Sequence, residues 1–147
     1  MREAARADLA AVLSLYREAG LDSETDFDLE GASVIWEKLA SYPFYKVFVA
    51  EQDSRAVGTY ALLIMDNLAH KGARSAVVEA VAVRPSCQGQ GIGKAMMRHA
   101  MDVCRQNGCY KVALSSNQKR EDAHRFYEKL GFERHGFSFR IELPREG

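Results

Sequence analysis

The stretch Val81-Ala82-Val83-Arg84-Pro85-Ser86-Cys87-Gln88-Gly89-Gln90-Gly91-Ile92-Gly93-Lys94 decides the architecture of this chain. It reads as the end of a buried strand (Ala76 to Val83), a turn at Pro85, a glycine-rich loop, and the start of a long amphipathic helix. Glycines fed from a strand into the first turn of a helix leave several backbone N–H groups unpaired and pointing one way. The positive end of the helix dipole adds to them, which makes a site for an anion such as a phosphate.

Outward from that stretch, the pattern continues as a mixed domain. Upstream, Asp8 to Ala19 carries Leu9, Val12, Leu13 and Tyr16 at helical spacing, and Leu29 to Leu39 gives a second helix stopped by Pro43. Between them Leu21 to Glu30 holds five acids, Asp22, Glu24, Asp26, Asp28 and Glu30. Met1 to Ala5 reads as a short strand. Lys46 to Ala50 and Ala56 to Met65 read as strands of a hairpin around the polar turn Glu51 to Arg55, and Asn67 to Arg74 as a loop. The strand Ala76 to Val83 is apolar except at Glu79, which predicts burial on both faces in mid-sheet.

Downstream, the helix from Gly91 to Asn107 places Ile92, Ala95, Met96, Ala100, Val103 and Cys104 on one face, and Gly108 caps it. Tyr110 to Leu114 is a short strand, Glu121 to Leu130 a helix ended by Gly131, and Glu133 to Leu143 a final strand pair or long strand. Helices, then a meander, then strand–helix–strand–helix–strand predict one α/β (α+β) domain across 1–147 on a central sheet.

Lysine plus arginine and aspartate plus glutamate number 20 each, so there is no global field for nucleic acid or an anionic membrane. A charged N-terminus without a signal-type apolar run, and no bilayer-length apolar stretch, predict a cytoplasmic protein. Three cysteines, Cys87, Cys104 and Cys109, lack metal-ligand spacing and fit reduced thiols. No histidine pair among His70, His99, His124 and His135 has ligand spacing either, so no metal is expected.

The loop lacks both the Gly-x-Gly-x-x-Gly dinucleotide spacing and the Gly-x-x-x-x-Gly-Lys-Ser/Thr frame of a P-loop. Gln88, Gly91 and Gly93 do match Gln/Arg-x-x-Gly-x-Gly/Ala, and Ala123-His124-Arg125-Phe126-Tyr127-Glu128-Lys129-Leu130-Gly131-Phe132 is a helix carrying a tyrosine and ending in Gly-Phe. In this order the two resemble the signatures of the GCN5-related N-acetyltransferases (GNAT). The resemblance implies the acyl-CoA N-acyltransferase fold, a mostly antiparallel sheet with a splayed strand pair flanked by about four helices. It also implies acetyl-coenzyme A as co-substrate. Gly108 to Val112, Val78 to Val83 and Phe126 to Lys129 are similar to glucosamine-6-phosphate N-acetyltransferases, but Ala80 stands where those enzymes carry an aspartate, which counts against a sugar-phosphate acceptor.

A pyrophosphate needs clustered donors, and Gly89, Gly91 and Gly93 let the backbone approach closely because they carry no Cβ. Gln88, Gln90, Ile92 and Lys94 add backbone amides, Lys94 a charge as well. By the resemblance, Val81, Ala82 and Val83 offer a strand edge to the amides of the pantetheine arm, with one N–H polarising the acetyl carbonyl. The family asparagine before the second signature is Arg120 here, so its cofactor contact falls to Asn117, Lys119 or Arg120.

Acetyl transfer to an amine moves two protons, one off the ammonium and one onto the departing thiolate. Tyr127 occupies the position of the family's tyrosine acid, with packing on the cofactor as its other reading. Glu79 is the base candidate, because a carboxylate in an apolar strand lines a cleft, where desolvation raises its pKa; an outward-facing residue or an ion pair is the alternative. His124, one turn before Tyr127, is a second base candidate.

The acid cluster favours a cationic acceptor or serves only a solvated loop and the next helix. The expected function is acetyl transfer to a primary amine of a small molecule by direct attack in a ternary complex. Lysine or N-terminal acetylation of a protein and a non-catalytic acetyl-coenzyme A sensor are the rival readings. Phe137 and Phe139 read either as core or as the edge of a homodimer.

Overall fold

The computed structural model describes residues 1–22 and 27–145. The chain forms two compact units, Met1–Leu114 and Ser115–Gly147. The first holds a five-stranded sheet in the order β1-β2-β3-β4-β5, built from β1 (Arg2–Glu3), β2 (Tyr45–Gln52), β3 (Arg55–Met65), β4 (Arg74–Val83) and β5 (Cys109–Ala113). The first three pairings are antiparallel and β4–β5 is parallel. Three helices belong to this unit, α1 (Leu9–Glu18), α2 (Leu29–Leu39) and α3 (Ile92–Gln106), and α4 (Glu121–Lys129) to the second. This is the mixed α/β arrangement expected, with four α-helices. Among the described residues no helix is long and apolar enough to cross a membrane.

Strand alternation divides the first unit's core in two. On one face Val47, Val49 and Ala61 pack with Ala4 and with Val12 of α1, edged by Tyr16, Trp36 and Tyr45. On the other, Phe48 stacks on its cross-strand partner Tyr60 at 5.2 Å between ring centroids, under Met96, Met97, Ala100 and Cys104 of α3. Gly58 sets how close α3 comes: a Cβ there would meet Met96 Sδ at 2.9 Å and Ile92 Cγ2 at 3.1 Å. The β2–β3 hairpin closes on two residues, Asp53 and Ser54, both at positive φ (51° and 63°), the backbone of a type I′ turn. Asp28 caps α2 by accepting from the Gly31 N–H at 2.7 Å.

Several expectations are corrected. The buried face of α3 includes Met97, whereas Ala95 is exposed. β4 starts two residues earlier than the polar loop suggested, at Arg74, where it pairs with Cys109. No strand forms over 133–143. Phe137, Phe139, Ile141 and Leu143 are 93, 91, 82 and 75% exposed, and no backbone ladder joins them among the described residues, so alternation there had no partner strand to complete it. The core reading of Phe137 and Phe139 falls with that strand.

Candidate functional site

The loop is built as a nest of unpaired donors. Pro85–Cys87 makes one 3-10 turn, closed by Cys87 N–H to Arg84 O at 2.8 Å, and the chain then passes through Gly89 and Gly91 at φ 81° and 82°. No atom lies within 4 Å of a Cβ added at either glycine, so it is the left-handed backbone rather than crowding that calls for glycine. Gly91 is the N-cap of α3 and offers no side-chain acceptor. The first intrahelical bond comes only at Ala95 N–H to Gly91 O, 3.0 Å, so among the described residues the N–H groups of Ile92, Gly93 and Lys94 have no acceptor. Gln88, Gly89, Gln90, Gly91 and Lys94 are exposed, and Gln90 is steadied by Gln52 at 3.3 Å.

Arg84, absent from the sequence-based candidates, fixes where the loop starts. Its backbone N–H donates to Val57 O at 2.8 Å, and its guanidinium donates to Ala56 O and Glu18 Oε1, each at 3.0 Å. The end of β4, the start of β3 and the end of α1 are thereby tied together. An arginine before Pro85 was the available signal, but its targets lie 28 and 66 residues away.

Before the loop, β4 carries an irregularity that sequence reading missed. Ala61 faces Glu79 and Thr59 faces Ala82, so Ala80 and Val81 together oppose Tyr60. Ala80 sits at φ 50°, a bulge conformation that costs a non-glycine residue energy and persists because both flanks are locked in the sheet. The extra residue puts Glu79 and Ala82 on the same face as Ala61 and Thr59. An alanine gives no positive-φ signal, so the sequence had no way to show it.

β5 pairs with β4 only from Arg74 to Val77. Beyond Val77 the outer edge of β4 carries no ladder among the described residues, so alternate backbone groups of Val81, Ala82 and Val83 face an open edge, as the strand-edge expectation requires. The pair parts there, which is the expected splay. Glu79 itself is exposed. The partly enclosed setting expected of this carboxylate is therefore not what its place on β4 supplies.

Beside Glu79 on its face of the sheet stand tyrosines. Tyr45 faces Leu63 and Leu63 faces Val77, one alternation from Glu79, and Tyr42 meets Tyr45 edge-on at 5.8 Å. Burial first, and the Glu79 carboxylate second, hold the Tyr45 phenol above its ordinary value. Burial pushes the Tyr16 phenol up to about 12, with Tyr45 and Asp22 adding to it. Of the acid cluster, Asp28 and Glu30 lie at the start of α2, where carboxylates favour the helix dipole, and Asp22 is exposed. Glu24 and Asp26 lie outside the described residues.

In the second unit, Tyr127 lies on α4 between Phe126 (5.1 Å) and Phe132 (5.7 Å), both edge-on. Its carbonyl accepts from Leu130 N–H and Phe132 N–H at 3.0 and 3.1 Å, and Gly131 turns the chain at φ 98°. Burial raises its phenol pKa, against the opposing pull of Arg120, so the proton stays on. Asn117 spends its side-chain oxygen on the Lys119 N–H at 2.9 Å, leaving its amide nitrogen as the group available to a ligand. His124 Nε2 donates to Asn117 O at 2.8 Å and so carries its proton there, which leaves Nε2 unsuited to act as a base. No group of potential metal ligands occurs among the described residues.

Residues 9–132 match the sequence profile of the Acetyltransferase (GNAT) family. A glucosamine 6-phosphate N-acetyltransferase of Trypanosoma brucei brucei is 39% identical over 98 residues, 67% of this chain and 65% of that protein, so the chain spans a little under two thirds of that relative. An aminoalkylphosphonate N-acetyltransferase of Salmonella typhimurium is 31% identical over 139 residues, covering 95% of this chain and 88% of that protein. Among solved structures, a putative acetyltransferase from Agrobacterium tumefaciens superposes with a TM-score of 0.89 at 31% identity, covering 97% of this chain and 98% of the other.

Proposed function

Because the chain belongs to the GNAT acetyltransferase family, we propose that it moves an acetyl group from acetyl-coenzyme A to the primary amine of a small molecule. The observation that carries this is the row of unpaired N–H groups at Ile92, Gly93 and Lys94 behind two left-handed glycines, next to the open edge of β4. A pyrophosphate fits the first and a chain of amides the second. Relatives named for acting on glucosamine 6-phosphate and on aminoalkylphosphonates support a small-molecule acceptor.

In the reaction the amine nitrogen bonds to the acetyl carbon and the carbon–sulfur bond breaks. Gln88 to Lys94 hold the pyrophosphate, with the amide of Asn117 as a further contact to the cofactor. Val81 to Val83 align the pantetheine arm and give one N–H to the developing oxyanion. Glu79, exposed on β4, takes the ammonium proton directly or through a water. Tyr127, whose phenol keeps its proton at neutral pH, gives that proton to the departing thiolate and is reprotonated by the second proton lost from the acylated nitrogen.

The test is release of free thiol from acetyl-coenzyme A across a panel of amines. Acceptor-dependent release is expected, and none with any amine overturns the reading. Tyr127→Phe should lower kcat about 100-fold with the KM for acetyl-coenzyme A nearly unchanged; equal activity removes Tyr127 as the acid.

A further inference from the structure

Between α1, α2 and β2 lies a cavity of about 90 Å³ that opens to solvent. Leu13, Tyr16, Phe27, Ile35 and Trp36 form its walls and Val47 part of its floor, so the Tyr16 hydroxyl and the Trp36 indole N–H are the polar side-chain groups among its lining residues. Val47 faces Ala61 and Ala61 faces Glu79, so cavity floor and carboxylate stand in one cross-strand row on the same face of the sheet. Two strand spacings separate them, about 10 Å, and the residue between is an alanine. Resting on the acetyltransferase reading, we propose that the acceptor is an amine with an aryl-sized apolar group. That group enters the cavity, and the ammonium lies over Ala61 toward the Glu79 carboxylate.

Length supports this, since an aryl ring on a two-carbon amine spans most of that row. Tyr16 lines the cavity, and Tyr45, two residues from Val47 on the same face of β2, lies beside the row, both aromatic rings that suit a cation. Charge supports it as well. The charged groups that act on Tyr16 and Tyr45 are Asp22 and Glu79, both acidic. Residues 19–37, from the end of α1 through most of α2, contain no lysine or arginine. Lys46, next to Tyr45 in sequence, is held by Glu3 at 3.3 Å. A phosphate or phosphonate placed here would face Asp22 and Glu79 with Lys46 already engaged by Glu3, and the several hydroxyls of a sugar would find only the Tyr16 hydroxyl and the Trp36 N–H in the cavity to replace water. The expected acceptor therefore differs from those for which the trypanosomal and Salmonella relatives are named.

Trp36 is the single tryptophan of the chain and lines the cavity, so it reports occupancy without turnover. The experiment uses the whole protein with 2-phenylethylamine, ethylamine, glucosamine 6-phosphate and acetyl-coenzyme A. Expected are a saturable change in Trp36 fluorescence with phenylethylamine and a kcat/KM on the order of 100-fold above ethylamine, the discrimination a filled apolar pocket gives. Ala32→Leu, which narrows the cavity from α2, should raise the KM for phenylethylamine at least tenfold and leave that for acetyl-coenzyme A unchanged. A silent Trp36 in the wild-type protein, or a higher kcat/KM for glucosamine 6-phosphate, overturns the inference while the acetyltransferase reading stands. Phenylethylamine binding seen at Trp36 with no thiol released from any amine supports the pocket and overturns the reading of the activity.

Discussion

The two faces of the sheet in the first unit are built from the same strands and finished differently. Under α3, Phe48, Tyr60, Leu62, Met96 and Met97 are buried, and a polar pair inside, Tyr60 Oη and His99 Nδ1, is matched at 2.7 Å. Under α1 and α2, the helices leave a cavity with Tyr16 in its lining, and Tyr45 and Glu79 stand on the same face of the sheet. The difference shows where stability and chemistry reside. A helix seated through Gly58 covers one face, while the other has Glu79 exposed beside the bulge at Ala80, where the edge of β4 is free and leads into the glycine loop.

That division can be broken by substitution on each face. Tyr60→Ala removes a ring that is 0% exposed and strands His99, so it should cost about 3–5 kcal/mol of stability in denaturant titration. Leu13→Ala, on the cavity wall and only half-buried, should cost about 1 kcal/mol or less. Similar losses at the two sites would mean the faces carry the fold equally. Glu79→Gln keeps the shape and removes the charge. It should reduce kcat on the order of 100-fold with the melting temperature unmoved, and an unfolding shift in place of the kinetic one would make Glu79 structural.

How much of this the sequence disclosed follows the range of each signal. Gln88 to Lys94 was legible because left-handed glycines ahead of an amphipathic helix are a local pattern, and the structure builds that loop where it was expected. The strands of the meander were legible from their β-branched runs. What failed depended on distant partners. Glu79 read as lining a cleft because its neighbours are apolar, yet the β5 ladder ends at Val77 and the carboxylate is exposed, the outward-facing alternative. Phe137 to Leu143 alternates like a strand, and among the described residues no second strand meets it. The placement of Ala95 in the core of α3 was a phase error, corrected by packing at Met97. The cavity, made by residues from three elements and the loop before α2, left no mark in any one segment.

The smallest expected effect sharpens the comparison from the closed face. His99 is half-buried, and burial holds its imidazole below the ordinary value of about 6.5, the N-terminal charge adding to this and Asp102 opposing it. The Tyr60 phenol is held well above its usual value by burial, so it keeps its proton and donates to a neutral Nδ1. Protonating His99 reverses that 2.7 Å contact, so that Nδ1 donates and the buried Tyr60 hydroxyl is left without an acceptor. Because the unfolded chain binds this proton at a higher pH than the folded one, folding stability is full above about 6.5 and declines as pH falls below it. Melting temperature between pH 8 and 5 should therefore drop more steeply for the wild-type protein than for His99→Gln, whose side chain does not titrate. Parallel curves would show that another group sets the acid limit. The KM for the amine, measured at pH 7 on both proteins, should be the same, since His99 faces α3's side of the sheet and the acceptor the other.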